Sequence, residues 1–547
     1  MKQIIIILLV ITGSIVSCKK QLEVGNPNVP TIDKANTESG IIALTQGGTY
    51  INGFQQGTED VTGNYYDGVS GHFWSGAIGF EEIMADVIGA EAANQFLNQL
   101  GVPNYVILDN GTKVLNPNSP KEQIAFVREV NTNANLGQNF EYHEWAYMYG
   151  LNKSCNRILA LVDQVSFMGN ADVKKNAIKA WCYWWKGFAY ARIGSIYYAG
   201  LINDADQGTN GDYVTKEQMI DASNANLDKA AAILQAITGG GDYQEIIGKI
   251  IPSIFQVGKG GVPTPQMWLR NINTLKARNI LVNTPLASMS SAQWASILTL
   301  VNDGIQVTDN VFTGRSSADF LTSGTASIKA TSDSAGGGTY KISERLIQEY
   351  KLGDKRLANN FLKTTTWIGN SDRGNVFNTR YALISGGRGL AGVTVLSNSN
   401  TGEYELYMAG TYEENELMKA EAKINSGDIN GGLTFIDAVR TYQGAGLAAV
   451  SGTGLTLAQA QEEIRRERRV VLPFRGISFY DARRWGVINP IAQGGGRTGA
   501  VVVDGGGILS TNATIEYNFL DYWDVPDNEL AYNPALPGSA AVVNPKK

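Results

Sequence analysis

The sequence predicts a mainly α-helical protein, a superhelix of stacked helix pairs that carries long irregular loops and a few short strands. Three observations support this prediction. Apolar residues recur at three- and four-residue steps over many windows. Glycine supplies 62 of the 547 residues and proline only 15, while charged residues make up 18%. So little charge excludes a disordered chain or a coiled coil, and a net charge of −6 gives no basic surplus for nucleic acid.

The chain begins with features of an exported protein. An apolar run over residues 4–16 follows a charged start; it is too short to span a bilayer and suits a secretory signal. The run leads into the tetrapeptide IVSC, which ends at Cys18 and resembles the lipobox of bacterial lipoproteins. We therefore predict a signal peptide over residues 1–17, a Cys18 that carries diacylglycerol and palmitate, and a flexible tether over residues 18–35. The alternative is an uncleaved signal in which this cysteine is accidental.

Helical periodicity continues along the rest of the chain and arranges the helices in neighbouring pairs. The clearest pair spans residues 416–440, with small residues Ala420 and Ala422 where the two helices cross. A pair of this length is typical of the tetratricopeptide-type unit, which buries its faces only by stacking on its neighbours. The helical windows are 140–165, 172–198, 219–237, 267–281, 290–303, 343–352, 404–424, 433–439 and 458–471.

Between these windows lie long stretches rich in glycine, serine, threonine and asparagine. They cover residues 57–79, 103–120, 308–339, 364–401 and 493–514, with short β-like runs at 379–384, 393–396 and 500–503. Loops of that length in an ordered protein are usually functional or disordered. The predicted organisation is a helical scaffold with N-terminal loop insertions (36–305), an irregular ligand-binding insertion (306–402), and C-terminal helix pairs with a closing segment (403–547).

Six separated stretches carry a resemblance to one known family. They are AIKAWCYWWKGFAYARIGSIY (177–197), QMIDASNANLDKAAAILQ (218–235), RLIQEYKLGDKRL (345–357), EENELMKAEAKINSGD (413–428), EIRRERRVVLPFRGISFYDARRWG (463–486) and VPDNELAYNPAL (525–536). With the lipobox, they are similar to the SusD/RagB family of outer-membrane nutrient-binding lipoproteins of Bacteroidetes. Two departures are visible. Arg475-Gly476 stands where members often carry Glu-Gly, which puts one local ion pair in doubt, and the C-terminal tail is atypical.

The resemblance implies a lipid-anchored protein on the extracellular face of the outer membrane. Such a protein captures an oligosaccharide and delivers it to a partner SusC-like, TonB-dependent transporter, without catalysis, cofactor or nucleic acid. Three alternatives stay open: a peptide-binding lid of the same transporter type, a structural stabiliser of the transporter, and a glycoside hydrolase. The hydrolase would need a carboxylate pair that no motif marks.

Aromatic residues in the long loops are the predicted ligand contacts. Exposed rings stack on the apolar faces of sugars, and nearby polar groups bond the hydroxyls. Tyr65, Tyr66 and Trp74 lie in a glycine-rich loop without a helical stripe that would bury them, and Phe312 and Trp367 stand in two other loops. The alternative is local packing of these rings. The helical tryptophans near residue 181 are predicted to belong to the core instead.

Two further groups of residues have structural interpretations. Arginines and carboxylates alternate near the end of the 463–486 stretch, which predicts a scaffold network rather than an anion site. Its members are Glu467, Arg468, Arg483, Arg484 and Trp485. An acidic loop containing Asp204, Asp206 and Asp212 is the one Ca²⁺ candidate, although the glycine and glutamate of an EF-hand are misplaced there. Cys155 and Cys182 are predicted to be buried thiols.

Overall fold

Helices form about half of the described structure and the strands are short, which confirms the mainly α-helical prediction. The computed structural model describes residues 36–51, 78–90, 99–315, 340–368, 377–398 and 403–547. Over those residues the helices are α1 (Glu38–Gln46), α2 (Ile78–Met84), α3 (Gln123–Val130), α4 (Phe140–Leu161), α5 (Ala171–Ile196), α6 (Lys216–Ala236), α7 (Gly241–Ile250), α8 (Pro265–Val282), α9 (Ser291–Asn302), α10 (Glu344–Ile347), α11 (Lys355–Asn360), α12 (Tyr412–Asn425), α13 (Ile429–Tyr442), α14 (Leu457–Val471), α15 (Ser478–Arg484) and α16 (Asp527–Tyr532).

The strands are short and form small antiparallel sheets. They are β1 (Ile88–Ala90), β2 (Tyr105–Ile107), β3 (Lys113–Leu115), β4 (Ala199–Leu201), β5 (Tyr213–Thr215), β6 (Thr313–Gly314), β7 (Tyr340–Ile342), β8 (Phe361–Ile368), β9 (Thr379–Leu383), β10 (Leu406–Tyr407), β11 (Arg497–Val503) and β12 (Leu509–Glu516). The predicted β-like runs at 379–384 and 500–503 correspond to β9 and the end of β11. The run at 393–396 is not a strand, so that prediction was wrong.

Helix α5 packs against α4, α6, α7 and α8. It begins after Asn170, whose side chain accepts a hydrogen bond from the Val173 backbone N–H. Trp181, Trp184 and Trp185 on this helix are fully buried, which confirms that they belong to the core. Each such ring removes 150–250 Å² from water, so this helix anchors the main core. Cys155 and Cys182, on α4 and α5, are buried free thiols as predicted.

Helices α12 and α13 are the pair predicted over residues 416–440. Asp428 begins the second helix by accepting a hydrogen bond from the Gly431 backbone N–H. Leu417, Leu433 and Ile436 are buried between the two helices and α14 in a smaller core of their own. A further small core joins α8, α9 and α12. The helices therefore stack pair on pair, as tetratricopeptide-like units do.

Two predicted helical windows differ from the structure at their ends. The window at 404–424 becomes helical only at Tyr412, because Gly410 has a φ of 64° and Thr411 caps the helix. The window at 343–352 stops after four helical residues, and Asp354 begins the separate helix α11. Both errors arise because a cap or a left-handed residue interrupts an apolar pattern that continues past it.

Two of the predicted loops meet in a four-stranded sheet of order β11-β12-β2-β3. In its register Ile515 faces Val106, and Val106 faces Val114. The Asp109 carboxylate caps the contact by accepting hydrogen bonds from the backbone N–H groups of Thr511 (2.7 Å) and Asn512 (2.9 Å). The sheet therefore joins an early part of the chain to a late one. Across the described ranges, no helix has both the length and the apolar character that crossing a membrane requires.

Candidate functional site

A cleft of about 500 Å³ opens between separate segments of the chain. Its walls come from residues 392–398, residues 403–407, the first turn of α12, the end of α13 and the turn at 473–475. The volume lies within the range of small-ligand sites, about 300–1,000 Å³. The scaffold of α12 and α13 thus supports one side, and irregular segments form the other.

Three tyrosines line this cleft, Tyr404, Tyr407 and Tyr442, and we name it the tyrosine cleft. All three side chains are half-buried. Tyr407 ends β10, where it pairs with Thr313 of β6, and Tyr442 is the last residue of α13. The Tyr442 ring packs on the ring of Tyr412, with centroids 5.1 Å apart and planes at 68°. Regular elements therefore hold two of the three rings.

The tyrosine hydroxyls keep their protons. Burial raises the pKa of Tyr442 to about 12, and the Glu413 carboxylate adds to this effect. Burial likewise raises the pKa of Tyr407. The Tyr407 hydroxyl lies 3.5 Å from Glu405 Oε2 and donates to it. At neutral pH the Tyr442 phenol is therefore available as a hydrogen-bond donor beside its ring face, while the Tyr407 phenol donates to Glu405.

Charged groups surround the rings. The Arg475 guanidinium carbon lies 3.9 Å from the centre of the Tyr407 ring, a cation–π contact. Glu405 is fixed by Arg315, at 3.4 Å between Nη2 and Oε1, and by the Lys259 backbone N–H at 2.8 Å. The cleft thus combines ring faces with charged and hydroxyl groups, several of them fixed by neighbours, a combination suited to a hydroxyl-rich ligand.

The position of Arg475 depends on an unusual turn. Phe474 and Gly476, on either side of it, both have left-handed backbone conformations, with φ of 63° and 65°. For a residue with a side chain this conformation costs about 1–2 kcal/mol. Burial of the Phe474 ring, which is 1% exposed, offsets that cost. The strained turn therefore holds Arg475 at the cleft wall.

The opposite wall depends on a close backbone approach at Gly444. This residue has a φ of 68°, and a Cβ there would lie 2.2 Å from the Gly392 carbonyl oxygen. The Thr394 backbone N–H also donates to the Gln443 carbonyl, at 3.1 Å. Only glycine fits here, so residues 392–394 pack directly against the end of α13.

The structure corrects the prediction that Phe312 lies in an exposed loop. The side chain is 2% exposed. Its ring centroid lies 5.4, 4.7, 5.7 and 5.4 Å from those of Trp181, Trp184, Trp185 and Trp268. The glycine- and serine-rich sequence around it concealed a core residue. Buried among four tryptophans, it has no face available to a sugar.

The other predicted ligand and lipid residues fall elsewhere. Cys18, Tyr65, Tyr66 and Trp74 lie outside the described residues. The backbone of Trp367 belongs to β8, and its side chain also lies outside the described part. These assignments stay predictions.

The arginine-rich signature forms buried ion pairs. Glu467 accepts hydrogen bonds from Arg356 Nη1 at 2.6 Å and from Arg440 Nε at 2.8 Å. All three side chains are at most 4% exposed. The two guanidiniums come from α11 and α13, so one carboxylate on α14 ties three helices together.

The remaining signature residues lie around α15. Arg468 and Arg484 both donate to the Asp481 carboxylate, at 2.9 and 2.7 Å. Arg483 donates to backbone carbonyl oxygens. The Arg484 guanidinium carbon lies 4.7 Å from the centre of the Trp485 ring. These side chains position α15 rather than forming an exposed cationic patch.

The residues of the tyrosine cleft were not among the predicted contacts. Tyr404 and Tyr407 fell inside the window 404–424, which was interpreted as helix, and Tyr442 lies just beyond the window 433–439. Two signals were present in the sequence. Arg475 departs from the family pattern, and Gly410 followed by a capping threonine indicates that the helix begins later.

Three carboxylates in the described core, Glu81, Glu82 and Glu144, are inaccessible to a ligand. Glu81 and Glu144 are fully buried and pair with Arg192, at 2.7 and 2.6 Å. Glu82 is also fully buried and accepts hydrogen bonds from the Ser478 hydroxyl, at 2.9 Å for Oε2. Burial raises the pKa of Glu82 to about 8. A glycosidase needs its carboxyl groups on either side of a bound sugar, and these three carboxyl groups are sealed in the core.

In the acidic loop considered as a Ca²⁺ candidate, two carboxylates form ion pairs with basic side chains. Asp204 pairs with Lys186 at 2.8 Å, and Asp206 with Arg157 at 2.7 Å. In the described part of the chain, no three or more His, Cys, Asp or Glu side chains converge as metal ligands do.

Comparison with solved structures identifies the fold of the chain. No protein-family model and no curated protein matches the chain. A SusD superfamily protein from Bacteroides vulgatus is similar in structure, with a TM-score of 0.56, 13% identity, and coverage of 91% of this chain and 97% of that one. The chain has the SusD-like fold.

Two further solved structures are similar to the chain over a comparable length. Surface glycan-binding protein A from Bacteroides uniformis gives a TM-score of 0.55 at 15% identity, covering 91% of this chain and 98% of that one. A SusD-like protein from Bacteroides fragilis gives 0.51 at 13% identity, covering 85% and 97%. The predicted resemblance is thereby confirmed at the level of the fold, over nearly the whole length of the compared chains.

Proposed function

We propose that this chain is a surface lipoprotein that binds an oligosaccharide and delivers it to a partner SusC-like, TonB-dependent transporter. The tyrosine cleft is the observation that carries the proposal. Its three half-buried tyrosines, with Arg475 beside Tyr407, line a single cavity of about 500 Å³. The SusD-like fold agrees with it, since one protein of this fold is described as a surface glycan-binding protein.

Binding in the tyrosine cleft needs no chemistry on the ligand. Sugar rings present apolar C–H faces that stack on the tyrosine rings, and their hydroxyl groups both donate and accept hydrogen bonds. The Tyr442 hydroxyl donates, Glu405 accepts, and Arg475 donates to ring or hydroxyl oxygens. The proposed function is therefore capture and release of the ligand. The test below also distinguishes this function from that of a glycoside hydrolase.

The test is calorimetric titration of the purified protein with a panel of neutral oligosaccharides and of peptides. Tyr442→Ala removes one ring from the cleft and should weaken oligosaccharide binding about 5-fold to 10-fold, the equivalent of about 1–1.5 kcal/mol for one aromatic contact. Tyr532→Ala is the matched control, because Tyr532 is 84% exposed and does not line the cleft.

Three results would contradict the proposal. Binding only to peptides would establish the peptide-binding alternative. Hydrolysis products from the oligosaccharides would establish an enzyme. Unchanged oligosaccharide affinity in a folded Tyr442→Ala protein would remove the tyrosine cleft from the site.

Anchoring and delivery are tested separately. Cys18→Ala should abolish incorporation of labelled palmitate and release the protein from the membrane fraction, because the lipid is the proposed anchor. Affinity purification of the lipidated protein from outer membranes should recover a TonB-dependent transporter. Recovery of the lipidated protein alone would contradict the proposed transporter partner but not the proposed ligand binding.

A further inference from the structure

A second cleft of about 480 Å³ lies between the end of α8, the end of α15 and the segments that follow them. Among the described residues, none lines both this cleft and the tyrosine cleft. A neighbouring cavity of about 300 Å³ lies beside the second cleft, and Asn283 and Tyr522 line both. We name the combined space the amide groove, after the asparagine and glutamine side chains along it.

Two aromatic residues line the groove. Two contacts hold Tyr522. The Arg483 guanidinium carbon lies 4.1 Å from the centre of its ring, and the Tyr522 hydroxyl donates to Asn283 Oδ1 at 3.4 Å. Trp485 is half-buried and has the Arg484 guanidinium against its ring. Both rings are therefore fixed before any ligand arrives, which reduces the entropy cost of binding.

Several polar groups in the groove are not used by the protein itself. Asn489 Oδ1 accepts from Lys546 at 2.8 Å. In the described structure its Nδ2, the Gln493 amide and the Trp485 Nε1–H have no hydrogen-bond partner. An amide both donates and accepts hydrogen bonds, and a sugar hydroxyl, which also does both, can rotate to meet either group. The unused groups thus match a hydroxyl-rich ligand.

The charge in the second cleft is close to balanced. Arg483 is 8% exposed and has its Nη groups committed to carbonyl and amide oxygens. Arg484 is paired with Asp481. Asp521 contributes one carboxylate to the lining, and its negative charge balances the positive charge of Arg483. No surplus of either sign selects an ionic ligand, so the lining favours a neutral one.

From these observations we propose that the amide groove is a second, independent binding site for a neutral oligosaccharide. Two adjacent cavities fit an extended chain of sugars better than a single ring. A peptide fits less well, because extended peptides add to sheet edges or fill apolar grooves, and this groove is formed by helix ends and loops with a polar lining. The inference stands whether or not the tyrosine cleft binds sugar.

The experiment measures the number of sites. Wild-type protein is titrated calorimetrically with xylogluco-, cello- and malto-oligosaccharides, and binding of two molecules per chain is expected for at least one of them. Ala287→Trp fills the groove from an exposed position that lines it and should reduce the number to one. Gln493→Ala, also at an exposed position, should weaken the second site about 2-fold to 10-fold, the range for one neutral hydrogen bond.

The outcomes separate this inference from the proposed function. Loss of one site in Ala287→Trp, together with an affinity about 5-fold to 10-fold weaker at the other site in Tyr442→Ala, supports both. Binding that keeps its wild-type affinity in Tyr442→Ala but is lost in Ala287→Trp supports the amide groove alone. A single site that Ala287→Trp leaves intact, or no binding of any of the three oligosaccharides, overturns the amide-groove inference.

Discussion

Glu82→Gln should stabilise the protein, and the gain should depend on pH. Burial raises the pKa of Glu82 from its ordinary value of 4.5 to about 8. Between these two values the folded state holds a proton that the unfolded state has released, so wild-type stability falls as pH rises through this window. At about 1.4 kcal/mol per pH unit, the penalty at pH 7 is about 3 kcal/mol. Glutamine is neutral at every pH and removes the penalty.

Urea unfolding followed by tryptophan fluorescence, at a series of pH values, measures the effect. The variant should be more stable by about 2–3 kcal/mol at pH 7, after allowing about 1 kcal/mol for a poorer hydrogen bond with Ser478. At pH 4 the protonation penalty is absent and only the poorer hydrogen bond remains, so the variant should be about 1 kcal/mol less stable than the wild type. Ser478→Ala keeps the carboxyl group but loses the hydroxyl, and it should lower stability across the range. A Glu82→Gln difference that stays constant from pH 4 to pH 8 would refute the reasoning.

Further predictions test burial, the ion-pair network and the loop aromatics. Phe312→Ala should destabilise the protein by about 3–5 kcal/mol in urea unfolding because it opens a cavity among four tryptophans; a loss below 1 kcal/mol would contradict its core position. Glu467→Gln should cost about 3–5 kcal/mol, since Arg356 and Arg440 then lose their shared carboxylate in the interior; thermal unfolding close to wild type would show that solvent replaces it. Trp74→Ala should weaken oligosaccharide affinity in calorimetry if the glycine-rich loop contacts the ligand, and an unchanged affinity in a folded variant would remove Trp74 from the site.

The sequence was sufficient for the scaffold because helical burial leaves a periodic signal. The tryptophans of α5 and the α12–α13 pair were identified from spacing alone, since a helix that packs on one side repeats its apolar residues. The division into segments 36–305, 306–402 and 403–547 stays a prediction.

The tyrosine cleft could not be predicted in the same way. Two of its three rings come from β10 and the end of α13. The walls depend on a left-handed Phe474 and on the contact of Gly444 with residue 392. Such contacts join segments that no local pattern connects. Phe312 illustrates the opposite error. Its neighbours in sequence are polar, so it was predicted to be exposed, but its neighbours in the structure are buried tryptophans.

The four-stranded sheet has a consequence for the order in which the chain folds. Asp109 and Ser510, which meet where β2 and β12 pair, are 401 residues apart in sequence. Strands β2 and β3 alone form a two-stranded hairpin, which is marginally stable in water. They gain their partners only when nearly the whole polypeptide has been synthesised, so this sheet closes late.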